Sequence, residues 1–151
     1  MPMLDENMKV ALRSNVCYLA TSSKEGVPNV VPMGLVDVLD ASTIVVVDVL
    51  MNKTRKNLAE NENVALAVTD SNRLLGYQFK GKASVVTSGE LMSWASEFLK
   101  AKYERRRKML LERLKSETDP EKIAKIKRMA EDERHPKAVV VIKVEEVYRT
   151  M

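Results

Sequence analysis

The chain has 151 residues, of which 45% are apolar and 30% charged, with 25 Lys and Arg against 21 Asp and Glu. That balance supports one folded core and excludes an intrinsically disordered chain. A single cysteine, Cys17, excludes an internal disulfide, a single histidine, His135, excludes a His-rich metal site, and no apolar run has transmembrane length.

The opening residues 1–6 carry neither the basic nor the apolar region of a signal peptide, so a cytoplasmic protein is expected. Leu4, Met8, Ala11 and Leu12 follow helical spacing, which predicts a short amphipathic helix over residues 3–13. Residues 16–21 read as a strand with Cys17 as a buried thiol. Residues 22–26 read as a hairpin loop in which Gly26 supplies a positive φ. Residues 27–39 form one long extended stretch. Pro28 and Pro32 cannot donate to a ladder, so that strand is expected at an edge, bulged, or facing a ligand. A turn at residues 40–42 leads into a strand over residues 43–47.

Val45, Val46 and Val47 are apolar and β-branched in succession, the pattern of a strand covered on both faces. A short helix then runs to about Glu60, with Asn52 as candidate N-cap and Lys53, Thr54, Arg55 and Lys56 in the first turn. Cations are unfavourable there, because a helix N-terminus already carries partial positive charge. Two readings follow: an anion held by free backbone N–H groups, the Thr54 hydroxyl and an ammonium, or a solvated face.

Residues 64–69 form the next strand, and residues 77–86 another with a bend or bulge at Gly81. Gln78, between Tyr77 and Phe79, is by itself an ordinary half-exposed strand residue. Thr87-x-x-Glu90 has the form of a capping box. The period then becomes helical. Residues 88–116 and 120–133, the second opened by Asp119-Pro120-Glu121, predict a hairpin over about 88–134 ahead of a last strand at 138–148. Residues 97–135 hold 13 Lys and Arg against 9 Asp and Glu, a surplus of four that equals the chain's whole net charge. The cluster Arg105-Arg106-Arg107-Lys108 spreads around its helix, is interleaved with acids and lacks an aromatic platform, so a solvated face is expected over a nucleic-acid one. The expected fold is mainly β within an α+β class: a single domain, 1–151, built as an antiparallel split barrel of about six strands. It carries a short internal helix and an inserted C-terminal helical hairpin. No G-x-G-x-x-G is present, which argues against a Rossmann sheet.

Three segments, Gly26-Val27-Pro28-Asn29-Val30-Val31-Pro32, Asn52-Lys53-Thr54-Arg55-Lys56-Asn57-Leu58 and Gly76-Tyr77-Gln78-Phe79-Lys80-Gly81, occur in that order. In this the chain resembles the pyridoxamine 5′-phosphate oxidase-like split-barrel flavoproteins, nearer to their small FMN-binding members than to the oxidase. The resemblance covers residues 3–87 and 138–148. It implies a homodimer with FMN in a groove between subunits. Lys53, Thr54 and the Asn52 backbone would hold the 5′-phosphate. Val30, Val31, Pro32 and Met33 would run beside the isoalloxazine, and Val47 and Asp48 would border the ribityl chain. Gln78 would approach the flavin from a neighbouring strand or from the partner subunit. The hairpin is longer than the family pattern and receives no role from it. No Arg and His pair near the C-terminus is placed to grip pyridoxal phosphate, so vitamin B6 oxidation is not expected.

The leading expectation is an FMN-dependent oxidoreductase or electron-transfer protein with no catalytic side chain of its own, the redox chemistry belonging to the cofactor. Within the same fold the alternatives are the deazaflavin F420 or haem, the latter with only His135 to offer as an axial ligand. A different class is a binding module without redox chemistry that works through the basic hairpin.

Overall fold

A computed structural model describes residues 3–151; Met1 and Pro2, on which part of the no-leader reading rests, lie outside the described residues. Those residues form α1 (Glu6–Ser14), β1 (Cys17–Ser22), β2 (Pro28–Met33), β3 (Val36–Asp40), β4 (Thr43–Asp48) and α2 (Lys53–Glu60). There follow β5 (Asn63–Asp70), β6 (Leu75–Val86), α3 (Glu90–Leu114), α4 (Pro120–Glu131) and β7 (Ala138–Arg149). The seven strands make one open sheet in the order β2-β1-β5-β6-β7-β4-β3, and every pairing is antiparallel. This is the mixed α and β split barrel expected, with one strand more. The stretch 27–39 divides at Gly34 and Leu35 into β2, paired with β1, and β3, paired with β4.

β4 is buried along its whole length because the sheet's two faces are covered differently. Ile44 and Val46 enter the main core with Leu12, Leu19, Leu66, Phe79 and Ile142. Val45 and Val47 face the opposite way, against Ala95, Val139 and Val141, under Trp94 and Phe98 of α3. The valine run therefore has an apolar partner on each side, which is why it shows no alternation. α1 adds Ala11 and Leu12 to the main core and is capped by Asp5, whose carboxylate accepts from Met8 N at 2.8 Å.

β6 and β7 change register between Lys80 and Gly81, so that Glu145 of β7 is the extra residue. A side chain at position 81 would drive into the Lys143 carbonyl, so glycine allows the strands to close around the bulge. The capping box does not form: α3 is preceded by Gly89 at φ 88°, with no side-chain cap. A residue in that left-handed region takes the chain into the helix at an angle that leaves Thr87 outside it. The far half of α3 leaves the sheet and pairs with α4 through Leu110, Ile126 and Ala130. Among the described residues no helix is long and apolar enough to cross a membrane.

Candidate functional site

The end of β4 and the start of α2 are fixed by one buried carboxylate. Asp48, 0% exposed, accepts from Met51 N at 2.7 Å and from Arg55 Nη1 at 2.9 Å. That pairing folds the four-residue link back on itself and takes Arg55 out of the first-turn cationic group. Asn57 of α2 donates to Thr21 Oγ1 of β1 at 3.1 Å, and Asn29 of β2 donates to Thr54 Oγ1 at 3.3 Å. The helix N-terminus is thereby held against the β2 end of the sheet.

Asn52 occupies the N-cap position, yet its side chain makes no capping hydrogen bond. The first bond of the helix is Lys56 N to Asn52 O at 3.1 Å. Among the described residues the N–H groups of Lys53, Thr54 and Arg55 have no acceptor. Three open donors at one helix start form a concentrated partial positive charge. Lys53 is exposed beside them and has no ion pair among the described residues.

These donors border a cavity of about 470 Å³ at the free edge of β2. Its walls are Asn29, Val31, Pro32 and Met33 of β2, the Gly34–Leu35 link, Val47, Val49 to Asn52, Lys53 and Thr54. Tyr103 of α3 and Arg134, from the segment between α4 and β7, complete it. Apolar side chains dominate, and the charged groups are Lys53 and Arg134 with no carboxylate among them. The volume is that of a small-molecule site, roughly 300–1,000 Å³. The residues present fit a planar apolar ligand that bears a phosphate.

Of the sequence-predicted residues, the cavity gathers Val31, Pro32, Met33, Val47, Asn52, Lys53 and Thr54. Three lie outside the cavity, Asp48 buried behind it and Val30 and Gln78 on the sheet's outer face. The Asp48 carboxylate is spent on Met51 and Arg55. Val30, 63% exposed, points off the outer sheet face, and Gln78 sits on that same face between Ala67 and Tyr148. Sequence reasoning missed the Gly34–Leu35 link and Val49 to Met51, which flank residues it did name, and also Asn29, Tyr103 and Arg134. Asn29 lies within the proline-bearing segment already singled out, two residues from Val31, so alternation along β2 could have found it. Tyr103 and Arg134 gave no local signal, because only the return of the hairpin brings them to the cavity.

A second cavity of about 310 Å³ adjoins the first and shares Tyr103 and Arg134 as walls. It is lined by polar groups of both signs, including Lys100, Glu104, Arg107, Glu133 and His135. Partial burial keeps the Tyr103 phenol above its ordinary range, against the opposing pull of Arg134, so at neutral pH it is a hydrogen-bond donor.

The family model for pyridoxamine 5′-phosphate oxidase matches residues 3–151. An uncharacterized protein of Methanocaldococcus jannaschii is 41% identical over 100 residues, a match that spans 65% of this chain and 66% of that protein, just under two thirds of its length. The structure of HupZ from Group A Streptococcus superposes with a TM-score of 0.71 at 24% identity, over 98% of this chain and 94% of that one. An FMN-binding protein from Syntrophomonas wolfei gives a TM-score of 0.60 at 14% identity, over 95% and 83% of the two chains. At these identities the structural matches show a common fold.

Proposed function

Since the chain belongs to the pyridoxamine 5′-phosphate oxidase family, we propose that it is an FMN-binding oxidoreductase or electron-transfer protein. The observation that carries the reading is the uncapped start of α2, with three open N–H donors and Lys53 on a cavity without carboxylates. Bound there, FMN would supply the redox chemistry. The chain's own residues bind, orient and exclude water. Lys53, Thr54 and the α2 N–H groups hold the phosphate. The edge of β2 along Val31 to Met33 forms a dry wall beside the ring, and Val47 and Val49 close the floor.

The same proposal includes a homodimer. The outer sheet face carries a cross-strand row, Pro32, Tyr18, Ala67, Gln78 and Tyr148, each directly opposite the next. Tyr18 is 52% exposed and Tyr148 44% in the single chain, with Val30 and Ala20 paired in the adjacent row. The apolar members cluster at the β2–β1–β5 end, while Gln78, Lys80 and Glu146 make the β6–β7 end polar; a second copy meeting this face would bring Val30 and Gln78 into an interface near the cavity mouth.

The test is the visible spectrum of the purified protein, with the released chromophore identified by mass, together with its molar mass in solution. FMN with a dimer supports the reading, and Tyr18→Glu should then give a monomer with weakened flavin binding. F420 would move the activity to deazaflavin chemistry. A Soret band lost in His135→Ala would assign the site to haem. A colourless monomer that refuses all three would refute the proposal.

A further inference from the structure

The helical hairpin closes one wall of the flavin cavity with two side chains, Tyr103 of α3 and Arg134 of the segment that leads from α4 to β7. Among the described residues Asp132 accepts from Arg134 Nε alone, at 3.1 and 3.4 Å, which engages that edge of the guanidinium. The two terminal nitrogens of Arg134, an exposed residue, and the half-buried Tyr103 hydroxyl have no protein partner among the described residues and are open to solvent at the cavity. Both residues line the seam between the two cavities. A guanidinium with its Nε already engaged presents its terminal N–H groups as a fork, and a phenol that stays protonated adds another donor.

We propose that Tyr103 and Arg134 form an anion-binding station that holds the carboxylate of a small substrate at the seam, beside the flavin. The station rests on the flavin reading for its role, though not for its existence. The charge balance favours a monoanion. Lys53 and the α2 donors sit on the other wall, where the cofactor's phosphate is placed. The second cavity adds Glu97, Glu104 and Glu133 against Lys100 and Arg107, which repels a polyanion entering from that side. The Arg107 guanidinium is not a competitor for the ligand, since it donates to Ala130 O at 2.9 Å and pairs with Glu133 at 3.0 Å. A carboxylate matches the planar fork that remains.

The test uses benzoate as probe and benzyl alcohol as its uncharged counterpart, with binding read by calorimetry on FMN-loaded and FMN-free protein. Benzoate should bind better than the alcohol, and Arg134→Gln should weaken benzoate by about tenfold or more, the size of one lost charge-assisted contact. Tyr103→Phe should weaken it less, and because both side chains also line the FMN cavity, each change should weaken FMN far less than Lys53→Ala does. Equal benzoate binding by Arg134→Gln and the parent protein would overturn the station, as would no benzoate binding at all. A loss of FMN affinity in Arg134→Gln matching that of Lys53→Ala would also overturn it, by moving Arg134 into the phosphate site. If the protein refuses FMN, the flavin reading fails separately, and Arg134-dependent benzoate binding by the FMN-free protein still decides the station.

Discussion

Replacing Lys53 with alanine tests the phosphate site most directly, because its neighbours provide internal controls. The first turn of α2 carries Lys53, Arg55 and Lys56, yet the structure separates them. Arg55 is held by Asp48, Lys56 does not line the cavity, and Lys53 does. A lost charge-assisted contact to phosphate is worth roughly 1.5–3 kcal/mol, which converts to about a 10- to 150-fold weaker dissociation constant. Binding should not vanish, because the three open N–H groups and the Thr54 hydroxyl remain. FMN fluorescence quenching at about 0.1 M salt measures the constant, and raising the salt should narrow the gap between parent and variant because Lys53 is solvent-exposed. Lys56→Ala should match the parent protein. Equal losses in the two variants would mean that a diffuse surface potential attracts the ligand. No loss in Lys53→Ala would refute the assignment.

Asp48→Ala should cost about 3 kcal/mol in urea unfolding, because it leaves Arg55 and the Met51 N–H without their buried acceptor; a loss well below about 1 kcal/mol would show that solvent replaces the carboxylate. Gly81→Ala should destabilise by about 1–3 kcal/mol, since the new Cβ meets the Lys143 carbonyl at the bulge, and the same denaturation curve reads it. Burial pushes the Cys17 thiol up to about 12, so a disulfide reagent at pH 8 should find it unreactive in the folded protein and titrate one thiol after unfolding. The Ser42 N–H, at 3.0 Å, and the Thr43 hydroxyl hold the Asp40 carboxyl below its ordinary range. Its contribution to stability is therefore present above about pH 4 and lost as pH falls through the lowered value. Asp40→Asn should flatten that acid limb of a stability–pH profile.

The strands were legible where composition reports burial directly. Val45 to Val47 read as covered on both faces, and the structure places the main core on one side and α3 on the other. The α3–α4 hairpin was legible because its second start is set locally, by Pro120 in the first turn and Asp119, which accepts from Glu121 N at 3.0 Å. The rest failed where the deciding partner is distant in sequence. The bulge that Gly81 signalled is present, and what its sequence context could not supply is that the extra residue, Glu145, belongs to β7. Thr87 and Glu90 have the spacing of a capping box, but the backbone at Gly89 decides the helix start. At the cavity, Lys53 and Thr54 were legible because helix-end chemistry is local. Tyr103 stood in a charged run and Arg134 in a connecting segment, and only the tertiary path of the hairpin gives either a position.

β2 shows why cavity and outer face can coexist on six residues. It ends the strand order, so one of its edges is unpaired, and an exposed edge invites another strand. Pro28 and Pro32 remove N–H groups and make that edge a poor template for strand addition. A ligand needs no ladder and can use what remains. Along the strand burial alternates: Asn29, Val31 and Met33 are half-buried and line the cavity, while Pro28, Val30 and Pro32 are exposed. Pro32 belongs both to the cavity wall and to the row that crosses to Tyr148. A substitution at Val31 should therefore act on flavin binding within one chain. A substitution at Val30 should act through the proposed partner, so Val30→Glu should weaken flavin binding only to the extent that it lowers the molar mass. Weakened binding with the dimer intact would place Val30 against the ligand instead.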